Sequence, residues 1–431
     1  MSSAGTDYRL DGVYKQRQDG YFMQRVKLAA GVISSCQARA VAAVSTRFGQ
    51  GTIHLTTRGS IEIHWLKEDD LPLIKRELAM AGLTSRGACG GAVRGITCSS
   101  QGAQGFPLLE TVARRLHRHF TGNPRFERLP KKFKIGIEAD TAGGRHLIQD
   151  VGLVLAGNED GRACFDLWIA GGLGREPSPG FLFLERVAEE RIIPIIEAVV
   201  RVYAAHAPPP KRLKFLAKEF GEQKLRELIE AEPSYREEIP GFIGLPEHLV
   251  SSSCEQQRLE LPVFAGKLTA GQFSLIADTA DRIAAGVLMV TAEQDIALQL
   301  SQGVDAAAEL TTLRTLTDLP FAQSVPAFRI CPGSHECRMG LAATRDVAER
   351  LIAHISPAGK RLSWALSGCA NSCSQPQLAD VGIVASRLTA EDDGQKTPRF
   401  VLYRRQNRGL GQKTHESLTE AELTEVVRNI G

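Results

Sequence analysis

Two stretches of the chain carry the same alternation of apolar and polar positions. Ala29–Leu66 reads AAGVISSCQARAVAAVSTRFGQGTIHLTTRGSIEIHWL and Phe264–Ser301 reads FAGKLTAGQFSLIADTADRIAAGVLMVTAEQDIALQLS, and they align without a gap at an offset of 235. Gly31 meets Gly266, Gly51 meets Gly286, Thr56 meets Thr291 and Ile61 meets Ile296. In the first copy Ala38, Val41, Ala42 and Ser45 recur with the period of a helix face, whereas Thr52–Thr56 and Ile61–Trp65 are strand-like, the second with clear alternation. The order strand, helix, strand, strand is completed by a second helix predicted over Leu71–Ala81, which makes a split βαβ unit of the ferredoxin-like kind.

A second correspondence follows each copy. Lys132–Gly157 matches Leu362–Arg387 at an offset of 230, fixed by Asp150–Val151–Gly152 against Asp380–Val381–Gly382. The order is therefore A–B–A′–B′, and the expected units are 1–85, 86–207, 256–325 and 326–431. Between the halves, 208–255 opens on three prolines, continues as a charged helical stretch and ends rich in Pro and Ser, as a linker would. The halves differ where chemistry is expected: Arg58 aligns with Glu293, His64 with Gln299, and Ala139 and Gly143 with Cys369 and Cys373. Such asymmetry predicts one site built jointly by both halves, in which Arg58 matters and Glu293 is dispensable.

Composition narrows the classes. The 431 residues carry 52 Lys and Arg against 49 Asp and Glu, too even a balance for a nucleic-acid partner. With 43% hydrophobic residues the chain has material for a packed core, and the 41 glycines suggest tight turns or close approach to a large ligand. The most apolar stretch, Arg191–Ala205, contains Pro194, Glu197 and Arg201 and reads as a buried helix, so no membrane insertion is expected. Met1–Leu10 has no basic start before an apolar run, and the expected compartment is the cytosol.

Nine cysteines argue against a disulfide scaffold and for reduced thiols on a metal or cluster. Cys331 and Cys337 lie in CPGSHEC, and Cys369 and Cys373 in SGCANSC. Four thiolates suit a [4Fe–4S] cluster, with structural zinc or plain structural thiols as the alternatives. Cys36, Cys164 and Cys254 fall in helix, strand and linker patterns and read as packing or surface thiols, while Cys89 and Cys98 are ambiguous.

These motifs carry a resemblance. C-x5-C followed by SGCANSCSQPQLADVGIV resembles the siroheme and [4Fe–4S] signature of the sulfite and nitrite reductases. YFMQRVKLAAGVIS, LTTRGSIEIH, LPKKFK, IAGGLG and KRLKFLAKEFGEQKLRE are similar to further parts of that family, so the resemblance spans most of the chain. It implies an α+β fold of two ferredoxin-like half-domains and two α/β half-domains around one siroheme, related by a pseudo-twofold axis. It also implies that Cys331, Cys337, Cys369 and Cys373 hold the cluster, with Cys373 bridging to the siroheme iron and Asn371 near the macrocycle. Lys27, His54, Arg58 and His64 would meet siroheme carboxylates. Arg25, Arg94, Lys132 and Lys134 would form a distal cluster of unpartnered cations that binds an oxyanion and delivers protons.

The expected activity is six-electron reduction of sulfite to sulfide, with nitrite reduction as the alternative; the Lys132–Phe133–Lys134 pattern resembles the sulfite enzymes. Gly171–Gly172–Leu173–Gly174 lacks dinucleotide-loop spacing, so electrons are expected from a separate ferredoxin or flavoprotein. A precorrin-3B synthase-like oxygenase and a non-catalytic zinc or electron-transfer module are further alternatives.

Overall fold

The computed structural model describes residues 8–100, 102–103, 105–159, 162–239, 257–317, 326–391 and 394–430; Cys254 and most of the Pro- and Ser-rich segment lie outside them. The chain opens with β1 (Val13–Lys15), β2 (Phe22–Val26), β3 (Val32–Ser34), α1 (Ser35–Phe48), β4 (Thr52–Leu55), β5 (Ile61–Leu66) and α2 (Leu71–Met80). There follow β6 (Thr97–Cys98), α3 (Phe106–Phe120), β7 (Ile135–Glu138), β8 (Val151–Glu159), β9 (Arg162–Ile169), β10 (Phe181–Ala188), α4 (Glu189–His206), α5 (Leu213–Phe220) and α6 (Glu222–Glu230). The second half has β11 (Arg258–Leu261), β12 (Lys267–Thr269), α7 (Ala270–Ile283), β13 (Val287–Val290), β14 (Ile296–Gln299) and α8 (Ala306–Thr317). It closes with β15 (Phe328–Ile330), α9 (Thr344–Ile352), β16 (Trp364–Ser367), β17 (Val381–Ala390), β18 (Lys396–Arg404), β19 (Gln412–Leu418) and α10 (Glu420–Arg428).

The duplication is visible at the level of single hydrogen bonds. Both repeat helices start with a capping box, Ser34 with Gln37 on α1 and Thr269 with Gln272 on α7, in which side chains satisfy the first free backbone donors. The repeats also exchange a strand. β12 completes the first sheet, in the order β1-β2-β5-β4-β12, while β3 completes the second, in the order β11-β14-β13-β3. The registers are equivalent, Lys267 opposite His54 and Met289 opposite Val32. The two ferredoxin-like units therefore share one core, in which Val41 and Ile53 are buried with Phe273 and Leu288.

Each B unit is a five-stranded mixed sheet, β10-β9-β8-β7-β6 in the first half and β15-β16-β17-β18-β19 in the second. β6–β7–β8 and β15–β16–β17 run parallel, so their C-terminal ends open on one side, the usual place for a ligand. The stretch expected as a linker is only partly one. Leu213 and Leu216 of α5 and Leu225 and Ile229 of α6 are buried in the core of the first B unit, because both helices are amphipathic and cover its sheet with α4. The repeat offset also needs a correction. The Lys134 N–H bonds to Asp150 as the Ser363 N–H bonds to Asp380, each at 2.8 Å. The offset is therefore 229 before this aspartate and 230 after it, where Val151 corresponds to Val381.

Candidate active site at the junction of the halves

The two cysteine pairs sit on the loops that leave β15 and β16. The Cys331 N–H bonds to the Leu366 carbonyl at 3.2 Å, and the Gly368 N–H donates to Cys331 Sγ at 3.1 Å. The pseudo-equivalent place in the first half holds Ser99, which receives the Ala139 N–H on its hydroxyl at 2.9 Å. Ala139 is therefore the counterpart of Gly368 rather than of Cys369, and one oxygen stands where the second half has a thiol. Past Cys369 the backbone turns through Ser372 and Gln375 at φ 54° and 58°, a left-handed conformation that non-glycine residues hold only when neighbours enforce it. The enforcing contacts come from the first half: Thr57 Oγ1 donates to the Cys373 carbonyl at 2.7 Å, and Gln375 Nε2 donates to the Thr57 carbonyl at 3.1 Å.

The thiols lie within electrostatic reach of one another. Burial and then Cys373 push Cys337 up to about 12 and raise Cys331 and Cys369 as well, the last opposed by donors from Asn371. Among the described residues no three His, Cys, Asp or Glu side chains converge at the spacing of a single ion. Four soft thiol donors on two adjoining loops are the donor set a [4Fe–4S] cluster takes.

Opposite the cysteine arm lies a group of cations from the first half. Lys132 and Lys134 flank Phe133, whose ring is buried in the core and whose bridge to Val93 fixes the alternation. Both lysines are half-buried, and among the described residues neither ammonium has a hydrogen-bonded or ion-paired partner. Burial, Arg212 and Arg94 lower Lys132 to about 8 against an opposing pull from Cys373. Lys134 is pushed well below its ordinary value by burial, Arg58, Lys132 and Arg212. Arg58 is lowered to about 9 by burial and Arg94, and its guanidinium donates to Gln149 Oε1 at 3.1 Å and the Gly95 carbonyl at 2.6 Å. Arg94 is buried, with NH2 on the Gly90 carbonyl at 2.7 Å and NH1 on that of Ala88.

The expectation of unpartnered cations fails for Arg25. It lies directly opposite Glu62 across β2 and β5, and the two form an ion pair at 2.5 Å. Burial alone would raise Glu62, but Arg25 and the histidines beside it hold it well below the carboxylate range. His64 Nε2 lies 3.3 Å from Glu62, and the ring of His54, lowered to about 4 mainly by burial, meets that of His64 edge-on. Lys27, two residues along from Arg25, reaches the Val93 carbonyl at 3.1 Å and Thr121 Oγ1 at 2.9 Å; burial and Arg94 bring it down to about 7.

Several residues here were not anticipated. Arg212 and Asp150 pair at 2.7 Å with side-chain exposures of 5% and 0%, and the same Asp150 oxygen receives the Lys134 N–H. Asp150 had a signal, since it anchors the repeat register; Arg212 lay in the supposed linker. Glu293, expected to be dispensable for siroheme, has a structural partner on each side: it pairs with both Arg145 and Arg329. Asn371 is exposed beside Cys369.

Buried Arg94 Nε, Gln149 Nε2 and Arg212 Nε have no partner among the described residues. Together with Arg58, these donors fit a polyanion such as siroheme, whose carboxylates would satisfy them.

Comparison with known proteins agrees. The family model for the nitrite/sulfite reductase ferredoxin-like half domain matches residues 14–81, and that for the nitrite and sulphite reductase 4Fe-4S domain matches residues 91–236. An assimilatory ferredoxin-dependent nitrite reductase of Haloferax mediterranei is 29% identical over 90% of this chain and 75% of its own. A sulfite reductase [ferredoxin] of Mycolicibacterium paratuberculosis is 25% identical over 98% of this chain and 84% of its own. The solved structure of Mycobacterium tuberculosis NirA shares the fold, with a TM-score of 0.83 at 24% identity over 98% of this chain and 85% of that one. Fold, thiol arms and matched domains agree: the chain belongs to the sulfite and nitrite reductase family, whose cofactors are siroheme and a [4Fe–4S] cluster.

Proposed function

We propose that the chain reduces sulfite to sulfide, taking six electrons from an external ferredoxin or flavoprotein; the named relatives that use ferredoxin support this class of donor. The observation that carries the reading is the pair Lys132 and Lys134, two ammonium groups without a carboxylate among the described residues, within electrostatic reach of Cys373 and lowered by burial and then by their cationic neighbours. Cys331, Cys337, Cys369 and Cys373 hold the cluster, and Arg58 with Lys27, His54 and His64 faces the siroheme carboxylates. When bound, the two cofactors supply electrons singly and an open iron position.

The residues do the rest. Arg94, Lys132 and Lys134 attract the oxyanion, and the lowered lysines give up protons more readily than ordinary ammonium groups would. Arg25 is assigned a supporting part, because Glu62 already neutralises it. Nitrite is the second reading, favoured by the Haloferax relative. Among the described residues no helix is long and apolar enough to cross a membrane, and we assign the chain to the cytosol, where its buried free thiols Cys89, Cys98 and Cys164 would stay reduced.

The test is sulfide formation from sulfite by the anaerobically purified protein with reduced methyl viologen. Sulfide as the product, formed with a higher kcat/KM than ammonia from nitrite, supports the assignment. Ammonia formation with no sulfide overturns it in favour of the second reading.

A further inference from the structure

The tip of the second repeat's hairpin, between β13 and β14, carries Glu293 and Gln294; Gln294 bonds the residue before Cys331, and Glu293 bonds Arg329, which reaches the Cys373 arm. Gln294 is 1% exposed and adopts φ 71°. Its amide grips the backbone of Ile330, the residue before Cys331, on both sides: Oε1 receives the Ile330 N–H at 2.7 Å and Nε2 donates to the Ile330 carbonyl at 3.0 Å. The same Nε2 donates to the Leu55 carbonyl at the end of β4, also at 3.0 Å. One side chain thus ties the first cysteine arm to the opposite repeat.

Glu293 controls the other arm through Arg329. The Arg329 guanidinium donates from Nε to the Ser374 carbonyl at 3.0 Å and from NH2 to that of Gln375 at 3.4 Å, just after Cys373. Its NH1 is held by Glu293 Oε2 at 2.6 Å, and Arg145 of the first half pairs with the other Glu293 oxygen. Arg329 is 6% exposed, so its direction is set by these bonds and not by solvent. A guanidinium has five donors in a fixed fork, and one carboxylate plus two carbonyls select a single orientation for it.

We infer that Glu293 and Gln294 are positioning residues for the cluster: a clamp that fixes the Cys331 arm against the Cys373 arm before iron is loaded. The repeat gives it a counterpart, since the equivalent tip of the first half holds the Cys373 carbonyl through Thr57. The two hairpin tips therefore grip the cysteine arms from both halves. Partners behind the ligands of a metal centre typically change affinity by about 10–100-fold when removed, because the ligands must then be ordered at the moment of binding.

The inference rests on the reading of the four cysteines as cluster ligands, so the first measurement is iron and acid-labile sulfide in the unmodified holoprotein. If that protein holds no cluster, the ligand reading fails before the clamp is tested. Given a loaded protein, Glu293→Gln and Gln294→Ala are compared with Gln299→Ala, at the exposed end of β14, for the rate at which a ferrous chelator strips iron. The electron paramagnetic resonance spectrum of the reduced cluster and the urea midpoint are recorded alongside.

The expected result is iron loss about 10–100-fold faster in both clamp variants, with an altered cluster spectrum and a slow, native-like rate in Gln299→Ala. Glu293→Asp, which keeps the charge, should restore part of the retention. Unchanged iron loss and spectrum in both clamp variants overturn the inference. So does faster iron loss that merely follows the fall in urea midpoint, with the cluster spectrum unchanged and no rescue by Glu293→Asp.

Discussion

The hydroxyl of Thr57 donates to the carbonyl of Cys373 across 2.7 Å, although 316 residues separate them. This bond joins the hairpin tip that carries Arg58 to the loop that carries the last cysteine. Cations supplied by the first half and thiols supplied by the second are thereby held in one place.

The thiol arms give the first prediction. Cys373→Ser should abolish the cluster and the siroheme spectrum coupled to it, whereas Cys164→Ser, buried on β9 away from the arms, should leave both intact. Iron analysis and an optical spectrum check this; full cluster content in Cys373→Ser would contradict it.

The asymmetric hairpin tips give the second. Arg58→Ala should lower siroheme retention while the fold survives, because among the described residues the Arg58 guanidinium bonds only to Gln149 and the Gly95 carbonyl. Glu293→Ala should instead lower stability, by roughly 1–2 kcal/mol after discounting for the solvent that reaches Glu293. Urea melts and siroheme absorbance separate the two. Siroheme loss from Glu293→Ala as large as from Arg58→Ala, with iron and acid-labile sulfide fully retained, would argue for two equivalent sites.

How much of this was legible in the sequence differs from residue to residue. The repeat was readable because Ser34 with Gln37 and Thr269 with Gln272 cap the same helix and the apolar periods coincide. The exchange of β3 and β12 was not, since strand partners far apart in sequence leave no local pattern. Lys132 and Lys134 could be placed on one side by their spacing. The neutralisation of Arg25 could not, because it depends on the register that sets Glu62 opposite it. Arg212 was missed because composition marks α5 and α6 as charged, while only their buried faces show that they belong to a core.

A buried pair gives the third prediction. Asp150→Asn should cost about 3–5 kcal/mol, because it leaves Arg212 charged and unpaired at 5% exposure and weakens the acceptor of the Lys134 N–H. Denaturant unfolding measures it. A loss within experimental error would mean that water or another acceptor already compensates Arg212.

The cations give a pH prediction for the chain without siroheme. Lys132 sits at about 8 in the folded state and burial also pushes Lys134 well down, both below the unfolded lysine value of about 10.4. The unfolded state therefore binds more protons in that window, so stability should rise from pH 8 towards pH 10. The penalty is fully present below the folded values. Urea midpoints at several pH values test this, and a Lys132→Met/Lys134→Met chain should show a smaller rise; an identical rise would exclude these lysines as its source.

Substrate choice gives the last substitution. Lys134→Asn should weaken sulfite turnover more than nitrite turnover, because asparagine keeps a hydrogen bond and loses both the charge and the transferable proton. A charge-assisted contact is worth about 1.5–3 kcal/mol, so the ratio of kcat/KM for sulfite to that for nitrite should fall by roughly one to two decades. An unchanged or raised ratio would remove Lys134 as the sulfite-selecting group.

The duplicated fold could in principle carry two sites, and the central claim is that it carries one, shared by both halves. The direct measurement is the amount of siroheme, iron and acid-labile sulfide per chain after anaerobic purification. One shared site predicts one siroheme, about five irons and about four acid-labile sulfides. Two sirohemes with twice the iron and sulfide, or zinc in place of iron, would contradict it.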